Sequence, residues 1–560
     1  MPPLRYRERP RYRPGPAHEG TRVTSSLSTS QTIRKTVIET EFGVVAAQHS
    51  RAARIGAQIL AAGGDAVDAA TAVSFAIGVV EPWMSGPAGG GAMMLWRADE
   101  AKAYALNYGM RSPKGLNPAD YPLSGAGVAG DLFPWEQVVD DRNIQGATAI
   151  AVPGLVDGVG QAYERFGRMP WRDLVRPAVD LANEGLHVDW YAALIIASTT
   201  RELAKDPDAA ALFLEDGQWP TIAGWTSLSD KRLDMSAMAA SLAELAEKGA
   251  RELYDGDLGE TLAADVRAKG GSLTHADLRA YRARFVTPLE FAYGAGGFHV
   301  MPGLTAGPTF RDTFTHLAQA GLPGDRSDDR PGDRLSDKPG AAAYAAYAAA
   351  LKSAYARRLS GMGDDGESTE APGCTTHFSV VDRQGNMVAQ TQTLLSIFGS
   401  RVVSPGTGFL MNNGIMWFDP VQGRPNSLGP DKACLMNVCP VIGHDGHGAH
   451  FAFGASGGRK IVGAVAQLSS FVSDFGMDIE AAFHQPRIDI SGGEVVVADD
   501  SLPTEVIAAL SDAHPVATTR RTVFPYAFAC PAGVMRRDGK NTGCTEIMSP
   551  WGDAISEDQT

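Results

Sequence analysis

Helices and strands share this chain, and three observations predict a mixed α and β fold. Residues 42–97 read as strand, helix, helix, glycine loop and strand, residues 160–285 read mainly as helices, and residues 375–393 read as a β-hairpin. At about 100–200 residues per domain, the 560 residues predict two to four domains, or one large α/β unit with insertions.

In order, Phe42 to Gln48 predicts a strand, and Arg51 to Ala62 a helix ended by Gly63-Gly64. Asp65 then caps a helix of small and apolar residues running to Val80. Asp68, Thr71 and Ser74 interrupt that stretch, which is too short to cross a bilayer, so it is expected to be a buried core helix. Glu81 to Gly91 forms a glycine-rich loop into the strand Ala92 to Arg97. Ala209–Leu214 and Met238–Glu247 are among the helices of the middle region. The Asp-, Arg-, Gly- and Pro-rich run from Pro323 to Pro339 is the best linker candidate, and a helix from Ala341 to Arg358 follows it. Gly361 to Gly373 predicts an exposed loop. Thr375 to Thr393 then turns at Asp382-Arg-Gln-Gly-Asn386, and the strand His450 to Phe453 meets Gly454-Ala-Ser-Gly-Gly458 before the helix Lys460 to Phe475.

Composition narrows the function. A hydrophobic fraction of 44% excludes wholesale disorder, and a net charge of −14 argues against a nucleic-acid partner. Residues 1–33 read as an Arg- and Pro-rich disordered tail without the apolar core of a secretory signal, so a cytoplasmic location away from membranes is expected. Five cysteines cannot make a disulfide framework and should be reduced. Cys434 and Cys439 lack the spacing of a zinc pair, so no metal is expected there. Glycine is in excess, 63 of 560 against a usual ~7%, so many backbone positions need tight turns or close approach.

Three constellations could carry chemistry. At Gly373-Cys374-Thr375-Thr376-His377 a loop runs into a strand; if the chain is cut before Thr375, the new α-amine (pKa about 7.7–8) can serve as base for its own hydroxyl. Thr-Thr opening a strand is, by itself, usually structural. Gly454-Ala-Ser456-Gly-Gly458 matches a nucleophile elbow, with Asp489 and His514 following in hydrolase order. Its glycines fit equally well as an oxyanion hole or a plain tight turn. His444-Asp-Gly-His447-Gly-Ala-His450 places three imidazoles around a hairpin turn, where alternation would keep them from converging on a metal.

Together these segments resemble the γ-glutamyltransferases of the N-terminal-nucleophile hydrolase superfamily, from about Phe42 to the C-terminal region. The resemblance is carried by Gly63-Gly-Asp-Ala-Val-Asp-Ala-Ala70, Val80-Glu-Pro82 with Gly89-Gly-Gly91, and Ala151-Val-Pro-Gly154. In the second half it rests on Thr375 to Asp382, Gly385-Asn386, Asn412-Asn413 and Gly454 to Gly458. It implies a four-layer αββα sandwich and a precursor that cuts itself between Cys374 and Thr375. Residues 34–374 would then form a large chain and 375–560 a small one, associated as a heterodimer. Thr375 would be the nucleophile, Thr393 its hydrogen-bonding partner, and Gly457 and Gly458 the oxyanion pair. Ser456 is thereby demoted to a turn residue. The substrate is a small-molecule amide, and no cofactor or metal is implied.

The sequence departs from the family where the substrate head group is read. The carboxylate-gripping arginine corresponds to Gly109, with Arg111 two residues on. The Ser-Ser pair is Met436-Asn437, the asparagine after the second threonine is Leu395, and the pair that binds the α-amino group is Gly414 and Trp417. Met416, Trp417, Met436 and Phe398 suggest a more apolar acyl pocket. The resemblance therefore implies γ-glutamyl hydrolysis or transfer, with an acylase acting on another amide as the alternative. An uncleaved binding protein without activity is the third reading.

Overall fold

The computed structural model describes residues 33–129, 135–222, 231–322, 338–362, 375–491, 493–522 and 526–560. Residues 1–32 of the tail, residues 323–337 of the linker candidate, and residues 363–374, Cys374 included, lie outside the described residues. Lys35–Thr560 folds as one unit.

The first segments follow their sequence signals closely. Strand β1 (Val44–Ala47) leads into α1 (Ser50–Ala61), which ends where Gly63 takes φ +96°. Helix α2 (Ala66–Val80) is buried along its whole length, as its lack of a polar face requires. Its cap is a full capping box: the Asp65 side chain accepts from Val67 and Asp68 N–H, and Asp68 reaches back to Asp65 N–H. Strands β2 (Gly90–Arg97) and β3 (Lys102–Tyr108) follow. Next come helices α3 (Leu155–Phe166), α4 (Trp171–Glu184), α5 (Trp190–Leu203) and α6 (Ser236–Lys248). The chain continues through β4 (Arg284–Val286), β5 (Leu289–Tyr293), β6 (Gly296–Val300), α7 (Gly307–Gln319) and α8 (Ala341–Gly361).

The predicted hairpin is β7 (Thr376–Val381) and β8 (Met387–Thr393). After it come β9 (Val441–His444), β10 (Ala449–Ser456), α9 (Lys460–Ser473), β11 (Cys530–Arg537), β12 (Lys540–Thr545) and β13 (Asp553–Ser556). One expectation needs correction: Gly454-Ala-Ser456 continues strand β10, and only Gly457 and Gly458 turn. Gly454 is a strand residue without a side chain because a Cβ there would lie 2.3 Å from the His377 ring.

Two large antiparallel sheets form among the described residues. One runs β4-β3-β2-β8-β7-β1-β13, the other β5-β6-β9-β10-β11-β12. Alternation along β1 and β7 sends Val45, Ala47, Phe378 and Val380 toward α1–α6, while Val44, Ala46 and Val381 join Ile442, Ala452 and Val534 between the sheets. A third core packs α7, α8 and α9 on the far face of the second sheet, around Phe298, Phe451 and Phe453. The architecture is a four-layer αββα sandwich. The central hairpin β7-β8, buried on both faces, carries the candidate chemistry at its open end. No helix among the described residues is long and apolar enough to cross a membrane.

Candidate active site

Backbone register builds the site. Thr376 pairs with Gln392, so the next step sets Thr375 beside Thr393 at the open end of the hairpin. Thr393 also pairs with Gly90 on β2, and the strands and loop meet there so closely that only glycine fits. A Cβ on Gly89 would lie 2.4 Å from the Thr393 carbonyl oxygen, and one on Gly91 would lie 2.2 Å from that of Thr391. Gly89 is thus required by packing against Thr393, and Gly90 and Gly91 by packing against Met110, Tyr108 and Thr391.

Thr375 is 1% exposed, and among the described residues its Oγ1 has no hydrogen-bond partner. A buried hydroxyl left without a partner costs about 1–3 kcal/mol, so it is an expensive place for a threonine of purely structural use. Thr393 Oγ1 accepts from Leu395 N–H at 2.7 Å. Behind them His377 bridges Thr391 (2.8 Å) and Ser379 (2.9 Å), and burial pushes its imidazole down to about 3, keeping it neutral.

The glycine turn reaches this hairpin through a residue that sequence reasoning missed. Gln48, just past β1, accepts from Ser456 Oγ at 2.9 Å and from Thr376 Oγ1 at 3.3 Å, and its Nε2 donates to the Cys530 carbonyl at 2.7 Å. One amide side chain thus ties strand β7 to the end of β10, where Gly457 (φ +129°) and Gly458 (φ +63°) turn into α9. Ser456 hydrogen-bonds Gln48 and not a histidine, while Asp489 accepts from Ser491. The elbow-triad arrangement is absent at Ser456. Glu81, at the end of α2, is the second missed residue. Burial pushes its carboxyl up to about 8, opposed by the Thr376 hydroxyl 3.4 Å away. Neither residue is given a role by the sequence, Glu81 standing only within the Val80-Glu-Pro82 motif, because both matter through contacts about 300 residues or more distant.

The substrate-reading positions have a different character. Leu395 is buried at φ +87°, and Trp417, Met436 and Met416 are buried with it in the core between the sheets. A Cβ on Gly109 would sit 2.6 Å from Met436 Cε, so Met436 fills the space into which any side chain at 109 would grow. Gly414 is equally enclosed, 2.7 Å from Ala151 Cβ and 3.1 Å from Met110 Sδ by the same measure. Asn437 is engaged by another residue: its Oδ1 accepts from the buried Arg358 at 3.0 Å. Arg111 lines a cavity together with Gly109, and there its guanidinium meets the Asp431 carboxylate (3.3 Å) and backbone oxygen. Phe398 also departs from expectation. Its φ of +59° and its N–H to the Trp83 carbonyl place it on the helix side, against Trp83 and Phe213, away from Met416 and Met436.

Asn412 and Asn413 are staples. Asn412 joins the Ala88 and Ala151 backbones, and Asn413 holds Ser396 and Ile144. His444 and His450 stack across the β9-β10 hairpin beside Trp96. Among the described residues no group of His, Cys, Asp or Glu is arranged to hold a metal ion.

The family model described as gamma-glutamyltranspeptidase matches residues 52–372 and 365–527. The chain belongs to the γ-glutamyltranspeptidase family. It is therefore an enzyme of a family whose curated members include both hydrolases of glutathione and acylases. Among its relatives, "Acylase ACY 1 proenzyme" of Pseudomonas sp. (strain V22) is 33% identical over 496 residues, covering 84% of this chain and 86% of that one. "Glutathione hydrolase proenzyme" of Bacillus subtilis (strain 168) is 28% identical over 510 residues, covering 84% of each. In fold, the chain matches the crystal structure of a cephalosporin acylase from Bacillus halodurans with a TM-score of 0.80 and 22% identity, over 96% of this chain and 99% of that one. That likeness shows a shared fold.

Proposed function

We propose that the chain is a self-processing threonine amidase of the acylase kind, cut between Cys374 and Thr375 and acting on an amide whose acyl group carries no charged α-amino-acid head. The freed α-amine of Thr375 takes the proton of its own Oγ1, directly or through water, as that oxygen attacks the amide carbonyl. The tetrahedral oxyanion is held by the backbone N–H groups of Gly457 and Gly458. Proton return to the nitrogen releases an amine and leaves an ester on Thr375, which water then hydrolyses. Thr393 orients the nucleophile.

The single observation that carries the acylase reading is Met436 in the space of the missing side chain at Gly109. A γ-glutamyl head group brought there would lose charge-assisted hydrogen bonds, each about 1.5–3 kcal/mol. Two such losses exceed the ~2.7 kcal/mol of a hundredfold effect. The 33% identity to a proenzyme named as an acylase supports the same choice, and the proenzyme names of relatives support processing.

A denaturing gel and N-terminal sequencing test the processing step. Two bands are expected, the smaller beginning Thr375-Thr376-His377. A single band near 59.2 kDa that stays intact on incubation contradicts it.

A further inference from the structure

The three hydrogen bonds of one buried amide each end beside a residue of the proposed chemistry. Gln48 is 6% exposed. Its Oε1 accepts from Thr376, one residue after Thr375, and from Ser456, one residue before Gly457. Its Nε2 donates to the carbonyl of Cys530, which pairs with Ser456 across β10 and β11. The residue before Cys530 is Ala529, and a Cβ on Gly457 would lie 2.8 Å from the Ala529 Cα. Arg487 donates to the Ala529 carbonyl at 3.4 Å, so this segment against the glycine turn is held at two successive carbonyls. Gln48 follows β1 of the first sheet, whereas β10 and β11 belong to the second. The amide therefore spans the two sheets between the Thr375 strand and the glycine turn. Alternation turns Thr376 toward the helices with Phe378 and Val380, so Gln48 acts on Thr375 through the backbone and touches none of the reacting atoms.

Only certain side chains can make this bridge. Both lone pairs of Oε1 are taken and Nε2 must donate. A carboxylate has no donor for the Cys530 carbonyl, and it would stand beside Glu81, which shares the Thr376 hydroxyl at 3.4 Å. A protonated carboxyl again offers one acceptor and one donor. The other titratable groups of the crevice that Gln48 lines are Tyr191, Tyr526, Cys530 and Glu546, the last paired with Arg487.

We infer that Gln48 is a positioning residue for acyl transfer: its amide fixes the glycine turn relative to the nucleophile strand. This rests on the proposed roles of Thr375, Gly457 and Gly458, and it holds whichever acyl group the enzyme takes. Oxyanion donors work because they are held in place before charge develops, and a misplacement of about 1 Å costs about 10²-fold. The loss belongs in kcat, since Gln48 touches no part of the substrate-reading region around Gly109.

Steady-state kinetics test this on pentanoyl- or γ-glutamyl-p-nitroanilide, whichever the wild-type enzyme turns over. Gln48→Leu is expected to lose about 100-fold in kcat, with KM within about threefold of wild type. A folded Gln48→Leu chain that stays uncut is the same loss, read in the processing step. Gln48→Glu is read as a ratio to wild type, so that the titration of Glu81 cancels. It should exceed Gln48→Leu by about tenfold or more at about pH 6, and lose that advantage as pH rises toward about 9 and its carboxyl ionises. A space-filling role would leave the ratio of the two variants unchanged with pH. The role is overturned by a Gln48→Leu kcat within about twofold of wild type, by a loss confined to KM, or by a Gln48→Glu advantage that is absent or independent of pH. If Gln48→Leu does not fold, the pH dependence of Gln48→Glu decides alone; if neither variant folds, Gln48 is structural and the role falls. A wild-type enzyme that turns over neither anilide sinks the amidase reading and this role with it, whereas active wild type with unaffected variants sinks the role alone.

Discussion

Two buried regions of the molecule, one around Thr375 and one around Gly109, are built from opposite materials. Around Thr375 the buried side chains are polar and joined: His377 to Thr391 and Ser379, Ser456 and Thr376 to Gln48. Around Gly109 they are apolar and interlocked: Met436 against Gly109, Gly414 against Ala151 and Met110, and Leu395 and Trp417 in the same core. Acyl transfer needs an oxygen nucleophile, a base and oxyanion donors whatever the acyl group, so the first end has little freedom. On the proposed reading the second end answers only to the shape and charge of the acyl group, and it offers packing in place of hydrogen bonds.

Removing the nucleophile should have the largest effect. Thr375→Ala is expected to abolish processing and lower kcat/KM by about 10⁴-fold or more, read from the gel and from anilide hydrolysis. Gly457→Ala comes next, because φ +129° suits glycine alone and the new Cβ would lie 2.8 Å from Ala529 Cα. A loss of about 10²–10³-fold in kcat is expected, with a strain of about 1–3 kcal/mol visible in the melting temperature.

At the reading end, Gly109→Arg alone should cost about 1–3 kcal/mol of stability by overpacking against Met436. Gly109→Arg with Met436→Ser should recover part of that loss and raise γ-glutamyl turnover above either single variant. Additive effects in this double-mutant cycle would show that the two positions are uncoupled.

The last effect acts on stability alone and concerns pH. His377 is pushed from an ordinary 6.5 to about 3 by burial, so its folded form resists protonation while the unfolded chain does not. Its contribution to stability is complete above about pH 6.5 and is lost as pH falls toward 3. The slope is about 1.4 kcal/mol per pH unit inside that window. Melting temperature against pH should show this, and His377→Gln should flatten the curve.

Much of this comparison was legible in the sequence. The capped core helix, the glycine triplet and the hairpin follow from local rules: Asp65 caps, Gly89 and Gly91 admit Thr393 and Thr391, and Asp382 to Asn386 turns. The replaced head-group positions were legible only through the family resemblance. Gln48 and Glu81 were not, since their roles arise where β1 and α2 meet a hairpin some 300 residues later. Phe398 was misplaced for a related reason: hydrophobicity says that it is buried, but only its positive φ decides on which side of the sheet. Gly454 looked like part of a turn because a bare strand position facing His377 has the same sequence signature.

The central claim is that the chemical end is kept and the reading end rebuilt. It is tested most directly by kcat/KM for two anilides on the processed enzyme, γ-glutamyl-p-nitroanilide and pentanoyl-p-nitroanilide, which differ in the charged head group. The expected result is at least a hundredfold preference for the pentanoyl compound, with both activities lost in Thr375→Ala. A preference for the γ-glutamyl compound would contradict the account.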